Sequence, residues 1–186
     1  MDEKVIIAGF GGQGIMLAGK LLVQAGLCLG RHVTFIPSYG AEVRGGTAHC
    51  HVIVSDEEIA SPIITVPDAA IVMNSPSLAK FSGLVRSGGT VYVNSSIAGE
   101  KIERNDIRAV YVPANHLAEE LGSVKVANVV TLGAYLRSSR FLTPAALAAA
   151  LKILLPSRHR DLMTINLAAL KKGYEFVEKE EQGKPG

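Results

Sequence analysis

The 186-residue chain has no tryptophan, two cysteines and 5% aromatic residues. Two cysteines, Cys28 and Cys50, supply neither a disulfide framework nor the four thiolates of an iron–sulfur cluster, and they make no metal set. Strong charge of either sign is also missing: 19 Lys and Arg face 17 Asp and Glu, a formal net charge of +2. A balance so near neutral argues against nucleic acid or an anionic membrane as partner. No stretch has the length and apolarity of a membrane-spanning helix. Met1-Asp2-Glu3-Lys4 leads directly into the short apolar run 5–8, which glycines end; this is a strand pattern, not the longer core of a secretory signal. These absences together predict a cytoplasmic protein.

What is present is 48% hydrophobic residues and 19 glycines, the composition of a Val/Ile/Ala-rich α/β domain with tight turns. Residues 5–8 (Val-Ile-Ile-Ala) form a continuous apolar run, as in a central strand buried on both faces. Apolar residues then recur at helical spacing over 15–29. Further strands are predicted at 32–37, 47–54, 69–73, 90–94 and 109–113. Helices are predicted over 77–85, from Asn115 as N-cap through 121, over 126–136, from Thr143-Pro144 through 155, and over 161–181. Strands alternating with helices predict a Rossmann-like, mostly parallel sheet with helices on both faces, in one domain spanning 1–186.

Gly9, Gly11 and Gly14 satisfy G-x-G-x-x-G after a strand and before a helix. Such glycines permit positive φ and close approach, and the helix start offers free N–H groups to a phosphate. A dinucleotide site also needs an acid about 20 residues on, at the end of the second strand. Here that strand ends Phe35-Ile36-Pro37-Ser38, with no carboxylate and no nearby arginine for a 2′-phosphate. Two readings stand: a tight β–α turn that serves packing, or a contact with a phosphate such as that of coenzyme A. Gln13, an amide able to donate and accept at a helix start, suits a polar ligand or a partner's backbone.

Residues 38–46 (Ser-Tyr-Gly-Ala-Glu-Val-Arg-Gly-Gly) are too rich in glycine and charge for core and read as an exposed loop. If strand 32–37 runs parallel to strand 5–8, this loop shares an edge with the glycine turn. Tyr39, Glu42, Arg44, Gly45 and Gly46 then become candidates for a contact surface, Arg44 offering a fork to a carboxylate or phosphate; the bland alternative is a solvated loop with an internal ion pair. Asn74, at the end of a central strand, and Asn128, a polar interruption of an apolar run, are weaker candidates. His49 and His51 should share one strand face with Cys50 opposite, half a metal set without a third ligand. Their strand is more simply a polar or partner-facing surface. Cys28 reads as a small core residue, and Arg158-His159-Arg160 with Lys152 as a basic inter-helix cluster.

The chain from Gly9-Phe-Gly-Gly-Gln-Gly14 through residues 38–46, Val54-Ser-Asp-Glu-Glu-Ile59 and Pro67-Asp68 resembles the gamma subunit of 2-oxoacid:ferredoxin oxidoreductases. Ala41 stands where that family commonly has proline. The resemblance implies one subunit of an enzyme that oxidatively decarboxylates a 2-oxoacid to its acyl-CoA, with no catalytic or metal-binding residue of its own. It implies that thiamine diphosphate, Mg and iron–sulfur clusters lie on partner subunits, that coenzyme A is co-substrate, and that electrons leave to ferredoxin. The implied partners are alpha and beta subunits, with a ferredoxin-like delta subunit in some members, and the chain alone is expected to be inactive and to pair as a homodimer. Gly11, Gly12, Gln13 and Gly14 would face the coenzyme A side, and Tyr39, Glu42, Arg44, Gly45 and Gly46 the substrate or partner. The Ser-Tyr-Gly loop resembles the 2-oxoglutarate and branched-chain members, and 2-oxoglutarate is the preferred substrate. A branched-chain or indolepyruvate oxidoreductase subunit is the near alternative. From other classes, a stand-alone nucleotide- or flavin-binding protein and a small protein-binding scaffold compete with it.

Overall fold

A computed structural model describes residues 1–39, 47–155 and 160–183. One six-stranded sheet organises them, in the order β2-β3-β1-β4-β5-β6. Its strands are β1 (Asp2–Phe10), β2 (His32–Tyr39), β3 (Thr47–Ser55), β4 (Ala69–Val72), β5 (Thr90–Asn94) and β6 (Arg108–Val112). β1, β4, β5 and β6 pair in parallel, while β3 is antiparallel to both β1 and β2. The sheet is therefore mostly parallel, as the alternation predicts. Residue pattern alone could not show that β3 would slot between β2 and β1. A dinucleotide fold of the usual order places the second strand beside the first; here β3 takes that place.

The helices are α1 (Ile15–Cys28), α2 (Ser75–Phe81), α3 (Ala114–Glu119), α4 (Ala127–Leu136), α5 (Pro144–Leu154) and α6 (Arg160–Gln182). Short 3-10 turns at Ser82–Leu84 and Val124–Val126 extend α2 and precede α4. Helices cover the two faces unequally. Residues of α1, α3, α4, α5 and α6 join the larger core with Val5, Ile7, Cys50, Val52 and Ile71. On the other face α2 and connecting segments cover Ile6, Ala8, Ala70 and Val72. Strand alternation sorts the neighbours Val5 and Ile6 into these separate cores. β4 is buried along its whole length, hence its unbroken Ala-Ala-Ile-Val.

Helix ends follow local chemistry in two places and tertiary demand in a third. The Thr143 side chain accepts from Ala146 N at 3.2 Å, and Pro144 begins α5. Asn74 accepts from Ser77 N at 2.9 Å and caps α2. Asn115, expected as the N-cap of α3, lies inside that helix, and Pro113 occupies the cap without a side-chain bond. Its amide oxygen instead accepts from Asn94 Nδ2 at 2.9 Å, because Asn94 is fully buried at the end of β5 and must be paired.

α4 crosses α6 at unusually close range. A Cβ added at Gly133 would strike the carbonyl oxygen of Leu170, and one at Gly173 that of Val130. Only glycine allows the two backbones to meet this way. The contact fixes α4, every residue of which is buried, and so fixes the position of Asn128 at its start.

Cys28 departs from expectation: it is exposed at the end of α1, while Cys50 is buried. Position 28 falls on the apolar stripe of Leu21 and Ala25, but it is the last residue of the helix, and residues 27–30 are all exposed where the chain leaves the core.

Candidate functional site

The carboxyl ends of the parallel strands define one edge of the sheet, where ligands bind in open α/β folds. The glycine turn lies there. Gln13 N donates to Phe10 O at 3.2 Å to close it. Gly12 has φ +95°, and Gly14, the N-cap of α1, has φ +73°. Gly9 is constrained differently, since a Cβ there would lie 2.6 Å from Gln13 Oε1 and 2.7 Å from Ile15 Cδ1. Gly11 and Gly12 are exposed, with open space above both.

Gln13 is committed within the chain. Its Oε1 accepts from Phe10 N at 2.7 Å and from Asn74 Nδ2 at 3.4 Å, and its Nε2 donates to Met73 O at 3.1 Å. One amide thus ties the turn after β1 to the residues following β4. Asn128 does the same from α4, donating from Nδ2 to Gly14 O at 3.1 Å and accepting from Val129 N at 3.0 Å. Asn74 and Asn128 are both buried. Across the edge, Asn94 donates to Asn115.

These tethers surround a recess of about 160 Å³ lined by Gly12, Gln13, Met73, Asn115, Lys125 and Asn128, among others. Lys125 is exposed at its rim and makes no ion pair among the described residues. Among the described residues no carboxylate lines it. The first N–H groups of α1 lie beside the turn and add positive potential. Chemically the recess suits a single anionic or amide-like group. Its volume is well below the roughly 300 Å³ from which ligand pockets normally start, so it takes a fragment of a larger ligand or of a partner. A larger groove of about 420 Å³ runs along α6 and is lined by no strand residue among those described.

Of the residues singled out from sequence, Gly11, Gly12, Gln13, Gly14, Asn74 and Asn128 converge on this edge. Strand β2 does run parallel to β1, and Thr47 pairs with Phe10, so the ends of the Ser-Tyr-Gly loop sit on the same edge as the glycine turn. Tyr39 closes β2 opposite Ala48. Its side chain, with Glu42, Arg44, Gly45 and Gly46, lies outside the described residues, as does Arg158-His159-Arg160 apart from the backbone of Arg160. Sequence reading passed over Asn94 and Lys125 and took Asn115 for a cap. An amide at or just past the end of a buried strand was the available signal, since such a group must find a partner at the carboxyl edge. Among the described residues no group of three or more His, Cys, Asp or Glu is placed to hold a metal ion, and no helix is long and apolar enough to cross a membrane.

Among the described residues, a parallel edge with a glycine turn, amide tethers, one cation without an ion pair and no ribose-binding acid defines an α/β domain that offers a partial site instead of enclosing a nucleotide. The chain belongs to the pyruvate ferredoxin/flavodoxin oxidoreductase family, whose model matches residues 4–176. It is 36% identical over 183 residues to ketoisovalerate oxidoreductase subunit VorA of Methanothermobacter marburgensis, covering 98% of this chain and 38% of that one. The chain therefore spans little more than a third of that relative. It is 33% identical over 184 residues to 2-oxoglutarate synthase subunit KorC of the same organism, covering 95% of this chain and 97% of KorC. Among solved structures it superposes on a keto/oxoacid ferredoxin oxidoreductase gamma subunit from Geobacter sulfurreducens with TM-score 0.85 and 25% identity, covering 96% of this chain and 98% of that one. The fold also matches part of a 2-oxoglutarate:ferredoxin oxidoreductase from Magnetococcus marinus, with TM-score 0.87 and 22% identity, over 96% of this chain and 31% of that one.

Proposed function

We propose that this chain is the gamma-type subunit of a multi-subunit, cytoplasmic 2-oxoacid:ferredoxin oxidoreductase acting on 2-oxoglutarate. The observation that carries the reading is the end-to-end correspondence with KorC, in which each chain accounts for nearly all of the other. The recess supports it. Lys125, the Asn115 amide and the start of α1 can receive one phosphate-sized group of coenzyme A, while the rest of that molecule extends onto a partner. Thiamine diphosphate, Mg and the iron–sulfur clusters would be held by alpha, beta and ferredoxin-like delta subunits, which supply the bond-breaking and electron-transfer chemistry. This chain orients and covers, and Tyr39, Glu42, Arg44, Gly45 and Gly46 extend the same surface toward substrate or partner. In isolation the chain is inactive and pairs with a second copy through apolar surface; exposed Ile153 and Leu162 and the open groove of Ala148, Leu167 and Tyr174 support this.

A branched-chain substrate is the second reading, favoured by the 36% identity to VorA. A stand-alone nucleotide or flavin protein is disfavoured by the size of the recess and by its lack of a ribose acid.

Anoxic native purification through a tag on this chain, followed by CoA-dependent dye reduction with 2-oxoglutarate and 2-oxoisovalerate, tests both readings. Co-purifying larger subunits and a 2-oxoglutarate preference are expected, with an elevated KM for CoA in Lys125→Ala. Preference for the branched acid moves the assignment to the second reading. Recovery of the chain alone, without activity, rejects both.

A further inference from the structure

The histidine pair singled out in the sequence plays no part in the proposed function. His49 and His51 project from one face of β3 with ring centroids 5.6 Å apart, and the His49 ring lies 5.0 Å from that of Phe81 on α2. Lys80, the neighbour of Phe81, places its ammonium 5.1 Å over the same ring. Neither imidazole takes part in a hydrogen bond or ion pair, and Lys80 has no carboxylate partner among the described residues. Both rings are half-buried. Burial, and then the charge of Lys80, hold both of them below the ordinary histidine value.

The surroundings contain no described anion to relieve this. From β2, the residues paired with the histidines are Ser38 and Ile36. From β1 they are Ala8 and Ile6. Farther down the same face stand His32 and Lys4, the latter 3.3 Å from Asp2 at the opposite end of the sheet. Lys80 is the one charged residue of α2. Glu42 and Arg44, in the adjoining loop, lie outside the described residues. Three basic side chains thus converge around Phe81 with their nitrogens uncommitted among the described residues, on the face of β3 opposite the one that α1 covers.

We infer that His49, His51 and Lys80 form a second binding site, distinct from the recess, for an oxyanion of the carboxylate or phosphate class, filled with uptake of protons by the imidazoles. A neutral imidazole offers one donor and one acceptor. An arriving oxyanion needs donors, raises the pKa of both rings and so recruits protons from solvent. The two sources of such a group are a free multivalent anion and the carboxylates of a partner chain.

The full chain is titrated calorimetrically with inorganic pyrophosphate and, separately, with an acetylated tetraglutamate peptide, at about pH 7.5 and about pH 6, on either side of the imidazole range. Two buffers of different ionisation enthalpy count the protons. Binding is expected to tighten by about ten-fold per pH unit for each proton taken up. The titrations are repeated on Lys125→Gln, which removes the recess's own phosphate contact; on that background His49→Gln/His51→Gln should abolish the pH dependence and Lys80→Gln should weaken binding. Ring-proton NMR of the unaltered chain should show both imidazole pKa values rise on binding, which does not depend on the variants folding. Pyrophosphate binding with these features supports the site and assigns a free anion; peptide binding alone supports it and assigns a partner's carboxylates. Absence of binding by both probes, or binding that survives unchanged in the double variant, overturns it. Binding that disappears with Lys125→Gln alone belongs to the recess and likewise overturns this site.

Discussion

Asn128 Nδ2 donates to the carbonyl of Gly14 at 3.1 Å, joining the first residues of α4 to the left-handed cap of α1. A side chain at Gly14 would collide with that amide and would need a φ of +73°. Gly14→Ala should therefore lower stability by about 1–3 kcal/mol, from strain and displacement of Asn128. Asn128→Ala should cost about 1–2 kcal/mol through the lost bonds. Urea unfolding of the two single variants and the double variant checks the link. Strongly non-additive losses are expected, and simple additivity would mean that the two residues are not coupled.

Gln13 acts in the same framework. Gln13→Ala leaves Phe10 N and Met73 O without their partner and should destabilise by about 1–3 kcal/mol. Hydrogen exchange at the Phe10 amide should speed up well before global unfolding, while the Met73 amide, which donates to Ala8 O at 2.8 Å, should keep its protection. If stability and exchange were unchanged while CoA affinity fell, the amide would belong to the ligand and not to the turn.

Glu3 is buried near the start of β1, where its Oε2 accepts from Ser139 Oγ at 2.8 Å. Burial raises its pKa above the ordinary 4.5, against the opposing effects of Ser139, Tyr135 and Arg140. The folded chain thus favours the protonated acid. The stability linked to it is complete below the unfolded pKa and is lost as pH rises through the folded pKa. Relative to the unaltered chain, Glu3→Gln should be most stabilising near neutral pH, with the difference shrinking as pH falls toward 4.5. Thermal melts across that range decide it; a constant difference would count against a shifted Glu3.

Cys28 is exposed, whereas the Cys50 thiol is buried and pushed up to about 12. Because the thiolate is the reactive form, a disulfide reagent at mildly alkaline pH should label Cys28 alone in the native chain and both cysteines in denaturant. Rapid native labelling of Cys50 would show that β3 opens locally.

These cases also mark what could be seen from sequence. The turn after β1 was legible because Gly9, Gly11 and Gly14 lie within one short segment between an apolar run and a helical period. Thr143-Pro144 was legible for the same reason. Asn115 misled because a capping side chain and a buried tether look alike until Asn94 is placed beside it. Cys28 misled because helical spacing gives the face of a residue and not where the helix runs past the core, as it does over the exposed residues 27–30.

The sequence by itself determined the α/β alternation, the glycine turn, the absence of a ribose acid and the shortage of metal-binding thiols, all of which depend on residue type and near-neighbour spacing. Only the tertiary structure decided that β3 separates β2 from β1, that Gln13 bonds within the chain, and that Asn74, Asn94, Asn115 and Asn128 gather at one edge. The bond from Asn128 to Gly14 spans 114 residues of chain. No local pattern encodes a contact of that separation; it exists because α4 is held on the sheet by its fully buried surface and by the glycine contact with α6.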